Sequence, residues 1–163
     1  MEFLVMSTAR AVKFSLYGLE ALNERRALIA ALARQGRNLT SSEVRQLRRA
    51  LFEDEAANQD EIAALFNLER VQDAPCAEWT EFFIQCVTDH MVWQRRPTGV
   101  VMGEQAEWLL AEADRCRALT AVALLANVLA EAHRAPDWLV AAVRGRIEAP
   151  EVQAALAQEG ALV

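Results

Sequence analysis

With 163 residues and 18.1 kDa, the chain has the length of one domain and can bury a substantial core without disulfide or metal staples. A hydrophobic share of 53%, with only 6 Gly and 4 Pro, leaves helix formers dominant and turn formers scarce, so an all-α fold is expected. The formal charge of −6 argues against general nucleic-acid affinity, which needs many Lys and Arg to displace counterions from phosphates, so no direct nucleic-acid contact is expected.

The opening MEFLVMSTARAVKFSLYGLEAL starts apolar, but Glu2, Arg10 and Lys13 interrupt it and no long apolar stretch follows. Neither a signal peptide nor a membrane span fits, and Met6 offers an alternative start. Residues 14–36, FSLYGLEALNERRALIAALARQG, read as a long helix stopped by Gly36, which sets a first unit at 1–36. SSEVRQLRRALF places Val44, Leu47 and Leu51 at i, i+3 and i+7, with Arg45, Arg48 and Arg49 elsewhere on the wheel. Thr40, Ser41 and Ser42 are N-cap candidates, and Glu43 completes a capping box from Thr40.

The acidic stretch FEDEAANQDE ends that helix, and Asn58 or Asp60 caps the next, whose buried side is Ile62, Leu65, Phe66 and Leu68. After a break at QDAPCAEW, the residues Trp79, Phe82, Phe83, Cys86, Val87 and His90 make the most aromatic stripe of the chain, ending before RRPTG. GEQAEWLLAEADRC then buries Ala106, Leu109 and Leu110. LTAVALLANVLAEAHR, with Thr120 as its cap, is apolar over most of its circumference, as a central helix would be. APDWLVAAVRGRI and APEVQAALAQ complete the chain as two short helices, the second within a terminal unit at 149–163.

An internal repeat joins the two portions of the middle. In LFNLERVQDAPCAEW and LANVLAEAHRAPDW, Leu65 matches Leu125, Asn67 matches Asn127, Pro75 matches Pro136 and Trp79 matches Trp138. Seven to eight helices are expected, with 37–148 a duplicated domain whose halves are 37–95 and 96–148. The repeat, the acidic turn DEAANQDE and the segment PTGVVMGEQAEWLL resemble the TerB-like family, all-helical domains related to tellurite-resistance protein B. There the turn Asp-Gly-x-Ile-Ser-x-x-Glu recurs; Asp54, Ala57, Asn58 and Glu61 fall in matching places, while Glu55 replaces the Gly. The resemblance covers about residues 34–148. It implies a link to stress or metal response, membership of regulatory assemblies, and divalent-cation binding.

Read by its own chemistry, the acidic turn is not an EF-hand, since Ala56, Gln59 and Leu65 stand where positions 3, 6 and 12 require an oxygen ligand, Gly and Glu. A shorter site from Asp54, Asn58, Asp60 and Glu61 suits a hard cation, and the competing role is a helix cap complementing the helix dipole. No other cofactor is expected. The widely spaced Cys76, Cys86 and Cys116 lack a CxxC pair or a His at ligand spacing, which fits buried thiols in a reducing, cytoplasmic setting.

Asp89 and His90 are adjacent and point about a hundred degrees apart on a helix, so His90 reads as a core histidine rather than a base. Without a nucleophile elbow, P-loop, dinucleotide fingerprint or HExxH, no enzyme is expected. Residues 1–50 carry nine basic and four acidic side chains, the remaining 113 eight and nineteen. The basic face of Arg45, Arg48 and Arg49, with Trp93 and Trp108 beside the RRPTG turn, is the candidate surface for a protein partner, and Trp79 and Trp138 are assigned to the core. The alternatives are a cation-responsive regulator and an acidic inhibitor that occupies a nucleic-acid-binding surface on another protein.

Overall fold

A computed structural model of the chain describes residues 24–52 and 57–161. Among the described residues every regular element is a helix, and the sole β-type contact is an isolated bridge between Val100 and Arg134. The expected all-α class is therefore the fold. Helix α1 is described over residues 24–34 and stops at Gly36, whose φ of +60° is the left-handed conformation that costs glycine no Cβ clash. The earlier part of that expected helix, residues 14–23, lies outside the described residues.

Helix α2, Ser41–Phe52, starts as its sequence dictates. The Glu43 N–H donates to the Thr40 hydroxyl at 3.2 Å, and the Glu43 carboxylate accepts from the Thr40 N–H at 3.0 Å. Helix α3, Gln59–Val71, repeats the device with Asn58 and Glu61, at 2.9 and 3.2 Å. Helix α4, Ala77–Thr88, runs on into a π-helical turn, Asp89–Trp93, and then α5 (Gly103–Asp114), α6 (Ala118–Glu131), α7 (Asp137–Ile147) and α8 (Pro150–Ala161) follow.

Helices α4 and α6 pack on each other at the centre; α2 and α3 flank α4, while α5, α7 and α8 flank α6. This is why α6 is apolar nearly all round: neighbours cover it on several sides. The aromatic stripe of α4 is fully buried. Trp79 stacks on Phe83 with ring centres 5.7 Å apart, and Phe66 meets Phe83 edge-on at 5.0 Å. Truncating such a ring would cost about 3–5 kcal/mol.

Buried polar groups are tied into the same packing. The carboxylate of Glu69, 1% exposed, accepts from the Trp79 indole at 2.5 Å and from Arg117 at 2.9 Å, joining α3 to α4 and to the residue before α6. Gln72 accepts from the Leu39 N–H and donates to the Leu68 carbonyl, fixing the α1–α2 connection against the end of α3.

Three expectations are corrected. Thr120 does not cap α6: the helix starts at Ala118 with Arg117 in the cap position, so Thr120 lies inside the first turn. Leu110 is half-buried, because α5 is covered mainly along the Ala106–Leu109–Ala113 line. Trp138, assigned to the core from its sequence match to Trp79, is 44% exposed, whereas Trp79 is fully buried. The reason is position: α4 has helices on several sides, whereas α7 packs on α6 and α8 at the periphery.

Candidate functional site

The segment between the π-helical turn and α5 meets the segment between α6 and α7 in a short hydrogen-bonded junction. Gly99 N–H donates to the Val92 carbonyl at 2.7 Å; His133 and Arg134 N–H groups donate to the Gly99 carbonyl at 2.7 and 3.2 Å; Val101 N–H donates to Arg134 at 2.9 Å. Gly99 is required here twice over. Its φ is +80°, and a Cβ at this position would stand 2.5 Å from the His133 ring carbon Cδ2. The Arg96–Pro97 peptide of the same segment is cis.

On the segments that lead into and out of this junction are apolar side chains that the fold leaves exposed. Trp93 is 41% exposed, Trp138 44% and Met102 50%. Trp93 is held in place: its indole donates to Glu131 at 2.8 Å, and its ring meets the edge of His133 at 5.8 Å. Asp89 is half-buried on the same turn, and burial together with the Glu131 charge raises its carboxyl above the usual range.

The other residues singled out in the sequence fall elsewhere. Trp108 is half-buried and packs edge-on against Phe66 at 5.8 Å, so it is mostly a packing residue with one side on a cavity. Arg48 bonds to Gln85 at 3.2 Å and lies over the Phe82 ring, which commits it to the α2–α4 contact. Arg45 and Arg49 are exposed on α2. The structure thus brings Trp93 to the junction and leaves the basic face on another helix.

Asp54 lies outside the described residues. Asn58 and Glu61 are occupied by their reciprocal cap, Glu61 also faces Arg25 at 3.2 Å in a buried ion pair, and exposed Asp60 faces Arg26 at 3.7 Å. Among the described residues no group of three or more His, Cys, Asp or Glu is placed to hold a metal.

His90 is 6% exposed, with Nδ1 3.0 Å from the Ala57 carbonyl and Nε2 3.2 Å from the Arg95 guanidinium. This contact set suits a neutral ring protonated on Nδ1. Burial is the main cause that lowers its pKa, with the Arg95 charge adding to it. Burial pushes the Cys86 thiol up to about 12 and Cys116 to about 11, away from the values that nucleophilic cysteines need.

Arg95, Gln59 and Gln105 were not singled out by their sequence, because no local pattern marks them. They meet at an open cavity of about 610 Å³ whose wall includes Trp108 and Met102. Among the described residues no helix is long and apolar enough to cross a membrane. The chain matches no protein-family model, no curated protein and no solved structure.

Proposed function

We propose that this protein is a non-catalytic interaction module that docks another protein through the Trp93–Met102–Trp138 junction. The observation that carries the reading is the exposure of two tryptophans and a methionine around a backbone junction fixed by its own hydrogen bonds. Large aromatic side chains on a rigid frame lose little freedom on binding and supply most of the energy of protein interfaces. His90, with both nitrogens engaged, and the Cys86 and Cys116 thiols, held protonated by burial, support the non-catalytic part. The exposed Arg45 and Arg49 on α2 suit a steering role for an acidic partner, acting on association rate more than on final affinity. The TerB-like resemblance adds a regulatory setting linked to stress or metal response.

The test is quantitative affinity capture from the native host with wild type, Trp93→Ala/Trp138→Ala and Arg45→Glu/Arg49→Glu, each first checked by thermal melting. The tryptophan pair should weaken recovery of the specific partner by about 2 kcal/mol or more, the level of an interface hot spot. The arginine pair should act mainly at low salt. Equal recovery by the tryptophan variant, or turnover of a small molecule by the protein, would overturn the reading.

A further inference from the structure

Beside the junction, Arg95 is a half-buried cation without a carboxylate partner among the described residues. Its guanidinium is held by the Gln59 amide oxygen and by the neutral His90 ring, and its Nε is sealed from solvent with no hydrogen-bond partner. A half-buried guanidinium whose neighbours are neutral groups can still take a counter-anion on its open side. It lines the cavity of about 610 Å³ whose far side is the start of α5.

That start adds donors to the same space. Met102 holds the cap position without a side-chain bond, and the first helical hydrogen bond runs from the Ala106 N–H to Met102. The N–H groups of Gly103, Glu104 and Gln105 are therefore free to meet a ligand. Gln105 lines the cavity as well, and its Oε1, an acceptor that does not hold an anion, is buried without a partner. The apolar wall is Trp108 and the exposed Met102. One feature limits the ligand: the Glu104 carboxylate is also in the lining, which opposes any anion and a dianion such as phosphate most, but can accept from an amide N–H.

We propose that this cavity captures the C-terminal carboxylate of a partner polypeptide whose last side chain is apolar. The carboxylate sits between the Arg95 guanidinium and the first turn of α5, the last peptide N–H donates to Glu104, and the terminal side chain packs on Trp108 and Met102. A monocarboxylate with an amide next to it and an apolar arm offers a partner to Arg95, to the free N–H groups, to Glu104 and to the Trp108–Met102 wall; phosphate lacks the amide and the apolar arm, and a bare fatty acid lacks the amide. Met102 belongs both to this cavity and to the exposed junction, so the captured terminus is continuous with the docking surface, and the inference rests on the interaction reading.

The experiment is an NMR titration of the full chain with N-acetyl-alanyl-alanyl-leucine as the free acid and as the C-terminal amide, with hexanoate and inorganic phosphate alongside. The acid should shift the Trp108 indole and His90 imidazole resonances to saturation, with the amide and the Arg95→Gln variant weaker by roughly tenfold or more, since both remove a charge-assisted pair. Equal binding of acid and amide by the wild type overturns the proposal even if Arg95→Gln fails to fold. Hexanoate or phosphate binding as tightly as the peptide acid overturns the peptide assignment. Acid-over-amide selectivity that persists while the Trp93/Trp138 variant keeps its partner would remove the junction but leave the cavity; loss of that selectivity with a tryptophan-dependent partner would do the reverse.

Discussion

His90 illustrates how a single side chain carries both legible and illegible information. Its place on the Trp79–Phe83–Val87 stripe marks it as buried, and it is. Its contacts with Ala57 and Arg95 follow only from the meeting of segments far apart in the chain. Because burial lowers its folded pKa below the ordinary 6.5, the unfolded chain binds more protons as pH falls below that value. The stability tied to a neutral His90 is thus fully present above about pH 6.5 and is lost as pH falls through the folded pKa. Asp89 works in the opposite direction: its raised carboxyl is protonated earlier in the fold than its ordinary 3.8, so its contribution grows as pH falls through the folded pKa. The expected outcome is that urea midpoints of wild type decline between pH 7 and pH 5 more than those of His90→Asn, which keeps a donor at the Nδ1 position without a titrating ring. Parallel declines in the two proteins would show that His90 is not the group responsible.

At the scale of elements, the starts of α2 and α3 were legible because a capping box is a local device: a short polar side chain and a glutamate three residues later satisfy each other's backbone N–H groups. The start of α6 was not, since Thr120 is a good cap residue but the chain turns into helix two residues earlier, with Arg117 in the cap position and pulled toward Glu69 and the Asp73 carbonyl. Helix α3 offers a graded test. Replacing Asn58 with Ala removes one cap bond and should cost about 1 kcal/mol. Replacing Glu61 with Ala also strands the buried Arg25 without its counter-charge, and should cost about 3–5 kcal/mol. Chemical denaturation of both variants measures the difference; equal losses would mean that the Arg25–Glu61 pair contributes little beyond the cap.

For the whole molecule, the boundary drawn at residue 149 separates an element that adds to the fold from those that make it. Helix α8 packs on α6 and α7, and Val152 is its buried residue, while the main core cluster runs from Ile29 to Val143. Truncation after Glu148 should therefore leave a cooperative helical protein, destabilised by about 1.5–3 kcal/mol for the lost burial of one such side chain and lowered in Tm accordingly. A melt followed by circular dichroism that loses its single transition would place α8 within the core instead. The charge asymmetry read along the chain is partly offset across α1 and α3, where Arg25 pairs with Glu61 in the interior and Arg26 with Asp60 at the surface.

What the amino-acid order determined by itself was the helical class, most helix limits and the apolar faces, because these depend on side chains within a few residues of one another. It also marked Trp93 as a residue near the turn that shapes the candidate surface. Only the tertiary structure decided which matching positions are covered: Trp79 and Trp138 sit in similar local sequences, yet one is enclosed by helices on several sides and the other is left at the edge. It alone brought Arg95, Gln59, Gln105 and Trp108 to one cavity and tied Gly99 to His133. Burial and convergence are properties of neighbours supplied by distant chain, and no local period encodes them.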